Sequence, residues 1–231
     1  MALAAAYPNG HLLLASPVET GARLWQLGQT APFWLAVGGS ATRILGGFLL
    51  ACALAIPCAA LAARFVSARE LLAPLTAVMR AVPVASFIIL AFLWLPSKGY
   101  LALFIAFLMV FPVAYGNILA GILQVDGQLL EMTEVFCVPV WRRVKHLYIP
   151  QVLPWFRTAC SLGLGLCWKA GVAAEVIGVV QRSLGEQLYN AKIYFETADL
   201  FAWTVVIVAL SALFEKLFLG LLDALVKGAK L

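Results

Sequence analysis

The sequence predicts an all-α, polytopic membrane protein with about five transmembrane helices. Of the 231 residues, 64% are hydrophobic and only 12% are charged, whereas about a quarter of the residues of a soluble domain carry a charge. Sixteen bases and eleven acids are too few to cover a folded domain of this size, so lipid must cover much of its surface. Because each crossing needs about 20 apolar residues, the length leaves no room for a large soluble module.

Five apolar stretches are the candidate spans, namely residues 44–63, 81–97, 99–125, 158–180 and 198–222. Pro57 should kink the first. The second is short for a crossing and lies between Arg80 and Lys98. Before them, we expect residues 1–31 to form an external segment whose alternating apolar and polar residues make a short interfacial helix. Residues 32–231 then form the membrane domain.

The basic residues predict the orientation of these spans. They cluster in one loop with Arg64, Arg69 and Arg80, in a second region over residues 142–157, and at the C-terminus. Loops rich in Lys and Arg stay in the cytoplasm. Five alternating crossings therefore place the N-terminus outside and the C-terminus in the cytoplasm, with residues 181–199 as an external loop.

Other classes of function find little support in the sequence. No dense basic run interleaved with aromatic residues predicts nucleic-acid binding. The five cysteines lack the spacing of a metal site and are expected to be free thiols. The two histidines, His11 and His146, form no catalytic constellation with groups in a span, which argues against an intramembrane enzyme.

The most informative segment lies between the third and fourth spans, at residues 126–154. It is too polar to insert and too long for a simple turn. Apolar residues recur at helical intervals from Leu129 to Val144, and Pro139 divides the stretch into two short helices. Periodicity alone is equally consistent with a surface helix that faces lipid phosphates. A rigid helix under a membrane domain can also transmit the movement of a docked partner to the spans.

The residues of this segment resemble the EAA loop of ATP-binding-cassette (ABC) import permeases. Glu131 falls on the acid of that motif and Ile149-Pro150 on its close, whereas Met132 and Thr133 replace the alanines and Cys137 replaces the usual glycine. The resemblance implies that a coupling loop at about residues 126–150 docks an ATPase. The residues expected to carry this coupling are Glu131, Thr133, Glu134, Cys137, Pro139, Trp141 and Pro150.

Further motifs resemble the nitrate, sulfonate and taurine type of permease. They are Ser40-Ala41-Thr42-Arg43 followed by Gly46-Gly47-Phe48, Arg80-Ala81-Val82-Pro83, the stretch from Trp168 to Glu175, and Ser183-Leu184-Gly185. Members of that family usually carry a further span before the dipeptide that matches Ser16-Pro17, so this chain is expected to keep the five-helix core of a type I importer without it.

The resemblance implies the partners of the chain. They are a pair of ABC ATPase subunits, an external substrate-binding protein, a second permease copy in a homodimer, and membrane lipid, in the cytoplasmic membrane of a bacterium or archaeon. The chain itself has no phosphate-binding loop, so no cofactor is expected in it, and ATP and Mg²⁺ are bound by the separate ATPase. The solute is expected to be a small anion such as a sulfonate or nitrate, or a vitamin-precursor-like molecule.

Charged residues inside the fourth span mark candidate positions on a translocation path: Lys169, Glu175 and the adjacent Trp168. A base at the centre of a span costs about 2.5–3.5 kcal/mol. Lys169 either offers its charge to an anionic solute or pairs with a carboxylate such as Glu175 of a facing subunit. Small residues in this span suit close packing, either between two copies or within one.

An ion-gradient-driven secondary transporter or channel is the alternative function, with Lys169 and Glu175 as relay groups. It predicts transport without ATP. No inverted repeat or pair of broken helices is evident in the sequence to favour it.

Overall fold

The structure, a computed structural model, describes residues 15–228, with side chains to residue 224, and this part of the chain is mainly helical. A short helix, Pro17–Gly28, is present in the predicted segment, and its place at a membrane interface stays a prediction. The predictions for residues 1–14 lie outside the described residues. The α-helices are α1 Pro17–Gly28, α2 Ala31–Arg64, α3 Val66–Ala81, α4 Val84–Trp94, α5 Leu101–Leu123, α6 Gly127–Val135, α7 Val140–Arg143, α8 Ile149–Gly178, α9 Leu184–Ile193 and α10 Thr197–Gly228.

Four helical stretches of the described residues are long and apolar enough to cross a membrane: α2, α5 with the 3₁₀ turn before it, α7 to α8 as one stretch, and α10. The pair α3 and α4 passes the same test together, but the two helices are bent by 105° at their junction. The expectation of about five spans in an all-α protein is therefore confirmed, with one of the five broken.

The structure moves two of the predicted span boundaries and adds a helix to one predicted loop. The first span begins at Ala31 rather than at residue 44, because polar positions such as Ser40 and Arg43 face other helices instead of ending the helix. The expected cytoplasmic loop after Arg64 is the helix α3, which forms the broken second span together with the eleven residues of α4. The expected external loop at residues 181–199 contains the helix α9.

The segment from α6 to α8 agrees with the predicted pair of short helices only in its first half. The first helix, α6, ends before Pro139 as expected. The second, α7, does not stop but runs through a π-helical segment, Val144–Tyr148, directly into α8. The backbone is therefore helical without a break from Val140 to Gly178.

The chain divides into two compact units, each with its own core. The first contains residues up to 47, 84–106 and 168–213, and the second contains residues 48–83, 107–167 and those from 214 onward. Fully buried side chains of the first include Ile44, Leu101, Trp168 and Leu184. In the second, the ring of Phe48 packs edge-on against that of Phe218 at 5.1 Å.

One ion pair fixes α1 within the first unit. The Arg23 guanidinium donates two hydrogen bonds to the Asp199 carboxylate at the start of α10, one of them at 2.9 Å from Nη2 to Oδ2. This bidentate contact raises the pKa of Arg23 above its ordinary value. Two hydrogen bonds between one guanidinium and one carboxylate fix the relative orientation of the two groups as well as the distance between them.

The crossing of α2 and α5 in the first unit depends on Gly47. A Cβ at Gly47 would lie 2.3 Å from the backbone oxygen of Leu103 and 2.8 Å from Ala106 Cβ, whereas one at Gly46 would make an ordinary 3.5 Å contact with the Leu103 side chain. The backbone of α5 cannot give way as a flexible side chain could. The absence of a side chain at position 47 therefore sets the distance between these helices.

Replacing Gly47 by Ala is expected to lower the free energy of unfolding by about 1–3 kcal/mol, as overpacking in a close-packed core does. Replacing the neighbouring Gly46 by Ala is the matched control, and it should be neutral or raise stability by up to about 1 kcal/mol because alanine favours a helix. Thermal unfolding of the purified chain in detergent measures both. Equal melting temperatures for the two variants would contradict the close approach at Gly47.

Candidate functional site

The polar segment between the spans forms an ordered turn around α6. Asp126 caps the helix by accepting a 2.9 Å hydrogen bond from the Gln128 amide. At the other end, the Val138 amide donates to the Thr133 carbonyl and the Cys137 amide to the Glu134 carbonyl. These two bonds form a Schellman motif, which ends a helix sharply. Pro139 follows at the position where a helix cannot continue.

Cys137 occupies the left-handed position of this motif, with φ at +49°. Glycine is the usual residue there, because a Cβ in this conformation costs on the order of 1 kcal/mol. The turn that the EAA resemblance implies is therefore formed with cysteine in place of glycine. The Cys137 side chain is exposed.

Arg143 of α7 holds the turn from the other side, and sequence reasoning missed it. Its Nε donates a 2.8 Å hydrogen bond to the Val138 carbonyl and its Nη2 a 3.3 Å bond to the Thr133 carbonyl. Its Nη1 also lies 3.6 Å from Glu134 Oε1. Arg142 and Arg143 are adjacent, and nothing in the sequence indicates which of the two side chains contacts the turn after α6.

Most of the predicted coupling residues lie on the surface of this segment. Glu131, Glu134, Cys137, Pro139 and Trp141 are exposed, whereas Thr133 and Pro150 are half-buried. The exposed group also includes large apolar side chains. These are Met132, Val135, Phe136, Val140 and Trp141, of which Val135, Phe136 and Trp141 are 79%, 71% and 74% exposed. We call these five residues the apolar cluster.

Behind the segment, the second unit contains an apolar cavity of about 800 Å³. Leu130 of α6 and Val144 of the π segment line one wall, and side chains near the ends of α2, α5 and α8 line the others. The coupling segment therefore borders an open space rather than close-packed side chains on this side.

Glu175 lies at the centre of a buried polar network in the first unit. Its side chain is 0% exposed, it accepts a 2.5 Å hydrogen bond from the Ser40 hydroxyl, and its Oε1 lies 3.4 Å from Arg43 Nη1. The Gly185 amide also faces Glu175 Oε2 at 3.4 Å, while Ser40 Oγ accepts a 2.8 Å bond from the Leu184 amide. The network ties α2 and α8 to the start of α9.

Within the chain, the carboxylate of Glu175 is paired with Arg43. A pair between Lys169 and Glu175 of a facing subunit stays a prediction. The Ser-x-x-Arg spacing contains the signal for this network, because residues three apart share one face of a helix. The closed environment of Glu175 favours a structural role in this conformation, and its assignment to a translocation path stays a prediction. Trp168 is also buried.

Lys169 is exposed, and no carboxylate among the described residues lies within 4.0 Å of it. The small residues of α8 instead approach their own chain. A Cβ at Gly171 would meet Ile44, one at Gly178 would meet Leu101, and one at Gly163 would meet Val110. Of the two alternatives for these residues, the geometry favours packing within the subunit.

Comparison with known proteins identifies the family. Residues 55–230 match the family described as the inner membrane component of binding-protein-dependent transport systems. The chain belongs to that family.

Named relatives agree with this assignment. The permease is 28% identical over 209 residues to a probable ABC transporter permease protein of Brucella melitensis, covering 90% of this chain and 85% of the relative. It is 29% identical to the riboflavin transport system permease of Chloroflexus aurantiacus, over 92% and 79% of the two chains. It is 25% identical to the taurine transport system permease of Escherichia coli, over 80% of this chain and 67% of the relative. These relatives are named permeases rather than enzymes, as predicted for this chain.

Replacing Cys137 by Gly should raise the free energy of unfolding of the permease by about 0.5–1 kcal/mol, because it removes the Cβ from a left-handed position. Replacing Cys137 by Ala is the control, since it removes the thiol and keeps the strain. Melting temperature in detergent and hydrogen exchange of the Val138 amide both report the effect. A Gly variant no more stable than the Ala variant would show that the turn is not strained at this residue.

Replacing Glu175 by Ala should lower stability by about 3 kcal/mol, since loss of one partner leaves Arg43 and Ser40 without their acceptor in a buried site. Replacing the exposed Glu196 by Ala removes the same charge outside the network and should change little. Thermal unfolding in detergent separates the two. Similar melting temperatures for the two variants would refute the structural role of the network.

Proposed function

We propose that this chain is the transmembrane subunit of an ATP-driven importer. Two copies form the translocation path for a small solute that an external binding protein delivers. Separate ATPase subunits dock on the cytoplasmic side and bind ATP and Mg²⁺. The family supports the general role of an ABC transporter permease, and the coupling segment supports the contact with an ATPase.

The observation that carries this proposal is the apolar cluster on an otherwise polar segment. A protein interface typically combines a centre of aromatic and apolar side chains with a polar rim. Phe136 and Trp141 provide large apolar area in the cluster. The same segment also carries exposed charged residues, namely Glu131, Glu134, Arg142 and Lys145. Such a mixed surface suits a protein cleft better than the hydrocarbon of a bilayer, which disfavours the charged residues.

The covalent continuity of α7 and α8 gives a route from the docked partner to the membrane. Trp141 lies on the same uninterrupted helical stretch that crosses as α8, and Arg143 ties that stretch to the turn after α6. A rigid element of this kind carries a displacement at its end into the spans. The cavity behind α6 provides space into which side chains can shift.

The orientation follows from this docking. The coupling segment and the C-terminus face the cytoplasm and the N-terminus lies outside, in the cytoplasmic membrane of a bacterium or archaeon. Arg157 and the residues around it are on the cytoplasmic side in accordance with the distribution of bases.

A small anion is the solute class that we propose, with a vitamin-precursor-like molecule as the second possibility. Relatives are named for taurine, riboflavin, aliphatic sulfonates and bicarbonate. Lys169, exposed and without a carboxylate neighbour among the described side chains, is a path residue that would favour an anion. Trp168 and Glu175 complete the predicted path set, but both are buried in this conformation.

Replacing Val135 by Asp should abolish co-purification of the permease with its ATPase, because a charge at the centre of the apolar cluster remains desolvated and unpaired in the interface. Replacing Val18 by Asp is the matched control. The two valines are 79% and 80% exposed, but Val18 lies on α1, on the proposed external side. Co-expression of the tagged permease with the neighbouring ATPase gene, followed by pull-down in detergent, measures the ratio of the two proteins.

The expected result is loss of the ATPase from the Val135 variant and its retention by the Val18 variant. Equal retention by both would overturn the assigned docking surface. Substrate uptake by the permease alone in proteoliposomes, without an ATPase or ATP, would instead favour the ion-gradient alternative.

A further inference from the structure

Arg80 lies far from where the sequence placed it. The sequence predicted it in a cytoplasmic loop, whereas its Nη2 donates a 3.1 Å hydrogen bond to the carbonyl of Pro112. Pro112 is the central residue of α5, eleven residues from each end, which is about 16 Å along the axis. Since α5 crosses the membrane, the positive charge of Arg80 lies near the middle of the bilayer.

The neighbouring helix is shaped to receive this guanidinium. A Cβ at Gly116, one turn after Pro112, would lie 3.0 Å from Arg80 Nη2. A Cβ at position 116 would therefore push the guanidinium aside by a few tenths of an ångström. The absence of a side chain at 116 leaves the space that the guanidinium fills.

The charge is held in place but not neutralised. Among the described side chains, no carboxylate lies within 4.0 Å of Arg80. A guanidinium has five N–H donors, and the Pro112 carbonyl accepts from only one nitrogen. The remaining donors are available to a ligand or to water.

Arg80 is also exposed on the surface of the single chain, and it cannot face lipid at that depth without a cost of about 2.5–3.5 kcal/mol or more. It lies two residues before the junction at which α3 and α4 bend by 105°. Backbone interrupted at membrane depth is tolerated where protein covers it or where it lines a water-filled cavity. Broken helices of this kind mark substrate sites in other transporters.

We infer that Arg80 lines the water-filled translocation path and attracts the anionic group of the transported solute. The chemical class is a small organic or inorganic anion, such as a sulfonate or carboxylate. A lipid phosphate does not reach the centre of the hydrocarbon, so it is not the ligand at this depth. This inference rests on the proposed function. It adds a role in solute specificity for Arg80, which the resemblance of Arg80-Ala81-Val82-Pro83 to a family motif did not indicate.

Reaction of an introduced thiol with charged reagents tests the local potential without knowledge of the natural solute. Ala77 is exposed and lies three residues before Arg80, on the same face of α3. The probes are methanethiosulfonates that carry either a sulfonate or a quaternary ammonium group. They are applied to freeze–thaw-opened membranes that contain the complete transporter with the Ala77→Cys permease, in which Cys137→Ser removes the exposed native thiol.

Both reagents should modify the thiol at position 77, because the site is in water. The ratio of the sulfonate rate to the ammonium rate should fall on the order of threefold when Arg80→Gln is added, since one unit charge a few ångströms away is removed. Arg80→Lys should keep the ratio near its original value. Val208→Cys, exposed on the single chain near the middle of α10, is the control for a face covered by lipid or protein and should react with neither reagent.

Two results would overturn the inference: no reaction of the thiol at position 77 with either reagent, or a rate ratio that Arg80→Gln leaves unchanged. The readout requires no ATPase activity. If either of these two results is obtained while the ATPase still co-purifies with the permease, only the role of Arg80 is refuted. If labelling succeeds but no ATPase docks, the aqueous path stands and the proposed ATP-driven function is refuted.

Discussion

A charged side chain inside a bilayer needs either a partner or water, because at the centre of a span it otherwise costs about 2.5–3.5 kcal/mol. The helix contacts of this permease follow from that constraint. In the first unit, Glu175 is fully buried and is satisfied by Ser40 and Arg43. In the second unit, the Ser161 hydroxyl of α8 donates a 2.6 Å hydrogen bond to Glu215 of α10. Each of these contacts joins two different helices, so satisfying a charge also fixes the packing.

The parts of the fold that depend on local signals could be predicted from the sequence. Uncharged apolar runs indicated the spans, and Pro139 indicated the end of the first helix in the coupling segment. The parts that depend on distant partners could not. Glu175 and Arg43 are 132 residues apart, so the partner suggested for Glu175 from the sequence was Lys169 of a facing subunit. Arg80 counted as a loop residue because its charge and the nearby Pro83 were the boundary signals there, whereas in the structure it donates to the Pro112 carbonyl of α5.

The coupling segment shows how a motif can depart from its family pattern and keep its geometry. The backbone at Cys137 is left-handed, as the glycine usual at this position allows without strain. The two hydrogen bonds of the Schellman motif and the contacts of Arg143 with the Val138 and Thr133 carbonyls hold that conformation. Each net hydrogen bond is worth about 0.5–1.5 kcal/mol, so these contacts together exceed a strain on the order of 1 kcal/mol. The surrounding contacts, rather than the residue at the turn, therefore determine the shape of the docking surface.

The same constraint separates structural charges from functional ones. A base at the end of a helix, such as Arg64 at the end of α2, can extend to the polar surface of the membrane and needs no further explanation. Paired groups such as Glu175 and Arg43 stabilise the packing. Arg80 and Lys169 belong to neither class, since both are exposed and neither has a carboxylate within 4.0 Å among the residues that the structure describes. A base of this kind inside a bilayer requires water or a covering protein surface. The aqueous path that we propose would supply that water, so the proposal accounts for the energetic requirement on each of these side chains.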